Sequence, residues 1–493
     1  MPPKKALIIG AGIAGIATAI RLAVKGYEVE VFEANSYPGG KLSEIKQDGF
    51  RFDAGPSLFT MPQYVDELFE LAGKDPSQFF QYQKLDIICQ YFYEDGGKFT
   101  AYADEEKLAD EVSKLTGDSE AIGKYLKNSS RIYKLTNSIF LQRSLHQLKT
   151  YLNWNAVRTL FRFPQIDPFR TMHEANTGFF KDARMVQYAD RFATYNGSNS
   201  YQAPATLNVI PHLEQHFGAY FPVKGMYSIT RSLVALAESL GVKFNYNSPV
   251  ESIILENKKA VGIKVDDRII KADIVISNMD VWFTYKKLLK EYPDLYPKKI
   301  LSQERSSSAL IFYWGIGKQF VELDLHNIFF SADYKTEFDH IWQKQSIYYD
   351  PTVYVNISSN LKKDDAPTGC ENWFVMINVP ANKGQDWDDL IKQARINILK
   401  KLSGVLKTNI AELIINESIL DPRSIESRTS SYQGSIYGTS SNSQFAAFLR
   451  HANRSSKIKN LYFCGGSVHP GGGIPLCLLS AKIVSSLTPT PLR

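Results

Sequence analysis

Cysteine is scarce: four residues in 493 (Cys89, Cys370, Cys464 and Cys477), with no C-x-x-C pair and no ladder of short spacings. A disulfide framework and a structural zinc site are both disfavoured, and a reducing compartment fits best. Long apolar runs are missing too. No stretch free of polar residues reaches the ~20 needed to span a bilayer, which leaves a soluble or surface-bound protein. There is no low-complexity tract and no internal repeat. At 44% hydrophobic and 22% charged residues the chain is neither disordered nor collagenous. Metal ligands are equally thin. His212 and His216 stand four apart, but Glu214 lies out of order for H-E-x-x-H and no third ligand is in view, so no metal is expected. Neither G-x-S-x-G nor any other Ser/His/Asp arrangement is legible.

What is present begins at the N-terminus. Lys4-Lys5 followed by the apolar Ala6–Ala17 has the outline of a secretory signal. Gly10, Gly12 and Gly15 argue against it, because they would break the apolar helix of a signal at three places. They form G-x-G-x-x-G directly after the strand-like Lys5–Ile9. Ile16–Lys25 then reads as a helix ended by Gly26, Tyr27–Phe32 as a second strand, and Glu33 closes the unit 23 residues after Gly10. Gly10 permits a tight turn, Gly12 lets backbone approach a pyrophosphate, and Gly15 lets helix and strand pack closely. The diphosphate belongs on the positive end of the helix and the ribose on Glu33. The unit predicts dinucleotide binding and leaves NAD and FAD open.

Two further blocks bear on that choice. Pro38-Gly39-Gly40-Lys41 and Gly49–Ser57, with Gly55 and Pro56, follow the acid closely. Taken alone, the first also fits a surface turn with a solvated lysine. Near the other terminus a strand-like Lys459–Cys464 runs into Gly465-Gly466-Ser-Val-His-Pro-Gly471-Gly472-Gly473-Ile474-Pro475 and then an apolar helix. Proline suits the first helical turn, and a helix start reached by glycines offers N–H groups and partial positive charge. That is a place to hold and tune the pyrimidine side of a flavin. His469 lies in this loop, either as a cofactor neighbour or as a loop cap.

These blocks together resemble the flavoprotein amine oxidase/carotenoid desaturase superfamily. Phe52–Ser57, Phe221-Pro-Val-Lys-Gly-Met226, Ala272–Asp280 and His469–Pro475 narrow the resemblance to the bacterial phytoene-desaturase type. It runs from Ala6 to about Ser485. Lys41 stands where many relatives have arginine, and Lys224 where a second glycine is usual. The resemblance implies an α/β fold with a Rossmann-like, discontinuous FAD-binding domain of the glutathione-reductase/amine-oxidase type, at residues 1–75, 218–290 and 421–493. An inserted α+β substrate domain is expected at 291–420, and a helical, membrane-facing lid at 76–217. It also implies FAD as cofactor, held by Gly10, Gly12, Gly15, Glu33, Gly40, Lys41, Gly55, Pro56, Val250 (against adenine), Gly465, Gly466, Gly473, Ile474 and Pro475.

The activity it implies is FAD-dependent desaturation of a C–C bond in a carotenoid. Asp190–Leu207 resembles the corresponding stretch of desaturases that act on 1-hydroxylated carotenoids at the 3,4 bond. Phytoene desaturation and carotene isomerisation are the alternatives on the same fold, and a non-catalytic lipid-carrying flavoprotein or an amine oxidase are further ones. Arg191, Tyr195 and Asn196 are candidates to hydrogen-bond a substrate hydroxyl; otherwise they anchor the lid helices. No residue pattern identifies a proton acceptor or an electron acceptor.

Charge is uneven. Residues 121–170 hold nine Lys and Arg against Asp167 alone, more positive charge than the +6 of the whole chain. Interleaved aromatics make this a candidate surface for anionic lipid headgroups, in a cytoplasmic protein bound peripherally to membrane. A solvated basic face over a buried helix pair is the plain alternative. Nothing accompanies the patch that would recognise nucleic acid.

Overall fold

The computed structural model describes residues 3–137, 142–147, 162–443, 446 and 449–491. Lys5–Ile9 is apolar on both faces after its first residue, as a strand covered by helices on both sides must be. It pairs in parallel with Glu28–Phe32 and with Ile274–Ser277, Ile8 lying opposite Val31 and Ile276. The complete five-stranded parallel sheet runs Lys243–Asn245, Glu28–Phe32, Lys5–Ile9, Ile274–Ser277, Leu461–Phe463. By chain order this is 3-2-1-4-5, so the direction of winding reverses beside Lys5–Ile9 and opens a crevice at the carboxyl ends of the strands. Helices Ile13–Val24, Tyr227–Ser239 and Ile474–Leu487 cover it, with Ile16, Ile20, Leu233 and Leu479 in one core. Segments far apart in sequence thus build one dinucleotide-type domain. Between its third and fourth strands stands an antiparallel meander, Ser252–Glu256, Lys259–Val265 and Arg268–Lys271. Its turns fall on Asn257-Lys258 and Asp266-Asp267, all at positive φ, as two-residue hairpin loops require.

The second layer is a seven-stranded sheet in the order Ile414–Leu420, Ser308–Ile316, Glu371–Val379, Val353–Asn356, His326–Phe329, Ile87–Phe92, Lys98–Tyr102. Side chains alternate between its faces. Phe312, Trp314, Trp373, Val375, Ile377 and Val355 turn one way, into a core shared with helix Trp387–Leu406. Ala309, Ile311, Phe374, Met376, Tyr354, His326 and Ile328 turn the other way and floor a cavity. The expected boundary between 76–217 and 291–420 does not follow this sheet. Ile87–Phe92 pairs in parallel with His326–Phe329, so residues 87–102 belong with the later block and the helical part starts at Glu105. A parallel pairing across more than two hundred residues leaves no local signal in sequence.

In the helical part, Glu120–Thr136 buries Ala121, Ile122, Tyr125, Ser129, Ile132 and Thr136. Lys124, Lys127, Arg131 and Lys134 are exposed at three- and four-residue spacing, one stripe on the opposite side. The rest of the basic segment falls partly on 138–141 and 148–161, including Lys149, Trp154 and Arg158, outside the described residues. Among the described residues no helix is long and apolar enough to cross a membrane.

Helix Ile13–Val24 sits so close to its strand that a Cβ on Gly15 would lie 2.2 Å from the Gly10 carbonyl oxygen. Gly15→Ala should therefore cost about 1–3 kcal/mol of stability. Urea denaturation of flavin-stripped protein reads this without any contribution from cofactor, and an unchanged midpoint would refute the packing role.

Candidate functional site

A cavity of about 790 Å³ lies where the crevice of the parallel sheet meets the open face of the seven-stranded sheet, roofed by the helical part. Gly10, Gly12, Glu33, Gly40, Lys41, Gly55, Pro56, Val250, Gly465, Gly466, Gly473, Ile474 and Pro475 all border it. Gly15 does not; its place is inside the helix–strand contact. Arg191, Tyr195 and Asn196 border the same cavity from the helical side.

Two helix N-termini face this space. Ile13–Val24 starts after Gly12 and Ile474–Leu487 after Gly473, and neither has a side-chain cap. Each presents its first N–H groups and its partial positive charge to whatever fills the cavity. Gly473 holds φ +100° with nothing within 4 Å of where a Cβ would stand. Glu33, only 6% exposed, receives the Ala11 N–H at 2.7 Å and the Asn35 N–H and Nδ2 at 2.9 Å. No cation pairs with it among the described ion pairs, so its orientation is fixed by backbone and its remaining lone pairs stay available to hydroxyl donors. This set fits an extended dinucleotide: Gly12 would take the diphosphate, Glu33 the ribose, Val250 the adenine and Gly473–Pro475 the ring system.

Lys41 departs from the simplest expectation. Its Nζ donates to the Ser435 and Ile436 carbonyls at 3.1 and 3.0 Å, fastening the Gly39-Gly40 turn to the C-terminal segment. Burial pulls it down to about 8, against the opposing charge of Asp280. Asp280 itself borders the cavity and pairs with Arg305 at 2.5 Å. The Phe221–Met226 loop is not part of the cavity wall: Lys224 is exposed, and the Met226 and Tyr227 N–H groups dock on the Asp53 carboxylate at 2.9 Å.

Arg450 was invisible as a site residue in sequence. It is 1% exposed and donates to the carbonyls of Tyr437 and Gly466, with no carboxylate partner among the described residues. Burial, then the charge of Arg305, pulls it down to about 10. It adds positive charge beside the C-terminal glycine loop. His469 in that loop meets the Arg143 carbonyl through Nε2 at 2.8 Å, and burial lowers it to about 4. It is thus a neutral residue that ties loop to lid and also borders the cavity.

The three substrate candidates separate. Arg191 donates to Tyr91 Oη at 2.5 Å and Tyr195 Oη at 3.1 Å, and stands 3.6 Å from Glu214, which accepts the Tyr195 hydroxyl. Desolvation pushes the Glu214 carboxyl up, opposed by Arg191. Asn196 is committed elsewhere, donating to Ser441 Oγ at 2.7 Å and accepting from Arg450 at 3.2 Å. In sequence Glu214 stands out only as the acid between two histidines. Its signal, an acid on an otherwise buried helical turn, gains meaning only once Arg191 is seen beside it. His212 stacks on His216 at 4.4 Å and against Tyr133, in a ring cluster.

If Glu33 holds ribose hydroxyls, Glu33→Ala should weaken FAD by about 10- to 100-fold, the worth of charge-assisted hydrogen bonds. Lys41→Ala should cost less, since that ammonium is spent on protein carbonyls. Flavin absorbance of desalted protein reads both, and equal retention by the two variants would contradict the assignment.

Residues 13–487 match the model of the family described as flavin containing amine oxidoreductase. The chain is 49% identical over 487 residues, 99% of both proteins, to a 1-hydroxycarotenoid 3,4-desaturase of Flavobacterium sp. (strain P99-3). It is 30% identical to a phytoene desaturase of Fusarium fujikuroi, over 98% of this chain and 88% of that one. Among solved structures, putrescine oxidase bound to putrescine superposes with a TM-score of 0.63 at 14% identity, covering 98% of each chain, a likeness of fold. With two uncapped helix starts and a buried acid, Glu33, facing one cavity, the chain belongs to the flavin-containing amine oxidoreductase family and is an FAD-dependent oxidoreductase.

Proposed function

We propose that this enzyme desaturates a carotenoid, forming the 3,4 double bond of a 1-hydroxylated substrate. The observation that carries this reading is the composition of the cavity. Ile311, Ile328, Phe374 and Met376 offer an apolar floor to a polyene, and the helical part brings buried Arg191 and Glu214 and half-buried Tyr195 to the same cavity. A site for a pure hydrocarbon would bear the desolvation cost of those groups for nothing. The 49% identical relative, named for this reaction, supports the same choice. Bound FAD supplies a two-electron acceptor for hydride. The chain's own residues orient the polyene across it and exclude water. Purified holoenzyme with a 1-hydroxylated carotenoid should yield a product two mass units lighter, and phytoene should be left unchanged. Lycopene from phoytene would overturn the 3,4 reading, and a product of unchanged mass would make the enzyme an isomerase.

The substrate is delivered, in this reading, from an anionic membrane surface on which the Lys124–Lys134 stripe rests. The four exposed cations on one face of a packed helix support it, each attracted to anionic lipid within a Debye length of about 8 Å. The triple variant Lys127→Glu, Arg131→Glu, Lys134→Glu should lose binding to anionic vesicles by more than about 100-fold. It should keep its FAD and its activity on detergent-dispersed substrate. Wild-type sedimentation by the triple variant would make the stripe a solvated face.

A further inference from the structure

The Arg191 side of the cavity has a counterpart on the sheet that nothing in the sequence singled out. His326 opens the strand His326–Phe329, opposite Asn356 on the neighbouring strand Val353–Asn356. Its ring forms part of the cavity wall and is 3% exposed. Around Nδ1 the partners are complete. Tyr354 Oη lies at 2.7 Å and Asn356 Nδ2 at 3.2 Å. Asn356 Nδ2 also donates to the Leu325 carbonyl at 3.0 Å, which identifies that end of the amide as the nitrogen. An N–H facing Nδ1 makes Nδ1 an acceptor, so the proton of the neutral ring sits on Nε2. Nε2 is buried without a hydrogen-bond partner among the described residues, as is Nε of Arg191. Burial and then the Arg191 charge lower this histidine to about 3, so the ring stays neutral at working pH.

We propose that His326 is the residue that recognises the oxygen at the hydroxylated end of the substrate, donating its Nε2–H to it. The inference rests on the desaturase reading above. A buried donor left unpaired on a ligand-cavity wall calls for a partner from the ligand. Glu214, 3.6 Å from Arg191, offsets the guanidinium charge at this end of the cavity, so a neutral oxygen suits it better than a carboxylate or an amine. The position also suits the chemistry. In a 1-hydroxylated chain desaturated at 3,4, the oxygen-bearing carbon is two bonds from the reacting bond, so its binding group must lie close to the flavin end. Tyr354 Oη joins Ser57 Oγ at 2.7 Å, and Ser57 follows Gly55-Pro56 on the cofactor side of the cavity. Two short hydrogen bonds therefore tie His326 to that loop and fix the plane of its ring.

The test compares two carotenoids that differ only in the 1-hydroxyl, with flavin reduction followed in the purified holoenzyme. In His326→Leu the ratio of kcat/KM for the hydroxylated over the deoxy substrate should fall about 10- to 100-fold, mainly through KM. His326→Gln, which can place an amide N–H near the same point, should recover part of that ratio, and Tyr354→Phe, which frees the ring, should lose part of it. The 1-methoxy analogue should be accepted by wild type, since it keeps the oxygen lone pairs. A wild-type ratio in His326→Leu, or equal losses on both substrates, overturns the assignment while leaving the desaturase reading intact. Rejection of the methyl ether by wild type overturns the donor role. Should His326→Leu retain no FAD, the Gln and Phe variants carry the same comparison, and wild-type ratios in both overturn it. A wild type that reduces its flavin with neither carotenoid removes the desaturase reading itself.

Discussion

Everything about the site depends on the space left around Asn278. This residue ends the Ile274–Ser277 strand at the reversal point of the parallel sheet. Its N–H meets the Ile9 carbonyl at 2.8 Å and its Nδ2 the Cys464 carbonyl at 3.1 Å, so it binds the ends of both neighbouring strands. Room for the side chain exists because three neighbours lack one. A Cβ would approach Asn278 atoms to 2.5 Å at Gly12, 3.0 Å at Gly15 and 2.6 Å at Gly465. The wedge holds the first and the last helix of the domain with their N-termini toward one cavity. Two partial positive charges, built from opposite ends of the chain, converge where a dinucleotide needs them.

The seven-stranded sheet sets the other half by the rule of alternation. Trp314 and Trp373 are fully buried on one face, against the long helix Trp387–Leu406. A one-residue slip would exchange the faces and drive those indoles into the cavity, so core packing also decides which side chains the substrate meets. Arg51 fastens this sheet to the cofactor domain. It pairs with Glu44 at 2.9 Å, Asp53 at 2.5 Å and Asp365 at 3.1 Å, and Asp53 in turn receives the N–H groups that start helix Tyr227–Ser239. A buried cation is tolerable there because three carboxylates surround it.

The cavity itself mixes apolar floor and buried polar wall. Arg191, Glu214 and Tyr195 pair with one another from neighbouring elements but leave Arg191 Nε without a partner among the described residues, and His326 is held on the sheet side through Tyr354 and Ser57. Such a network in a low-dielectric space is costly when incomplete and strongly orienting when a ligand completes it. On the proposed reading, selectivity between a hydrocarbon and its hydroxylated form is a matter of which molecule supplies hydrogen bonds to groups the protein has already desolvated.

The dinucleotide unit was legible in the sequence because its determinants are local. Gly10, Gly12, Gly15 and Glu33 report a strand, a turn, a helix and a second strand within a few dozen residues, and backbone geometry admits little else there. The C-terminal glycine loop, the meander turns and the basic stripe were legible for the same reason. Asn196 could not be told from Arg191 and Tyr195, since only the fold sends its amide to Arg450 and Ser441. Residues 87–102 could not be assigned to the second sheet, since parallel pairing with 326–329 is a non-local contact without a turn to announce it. Glu214, Arg450 and His326 acquire their roles from partners on other elements, 19 residues away for the Tyr195 that meets Glu214, 28 for the Tyr354 that meets His326 and 254 for the Asn196 that meets Arg450. What neighbouring residues impose on one another, the sequence by itself determined; what side chains from distant strands and helices do in a shared, dry cavity, only the tertiary structure decided, because burial and pairing exist nowhere before the chain has closed around them.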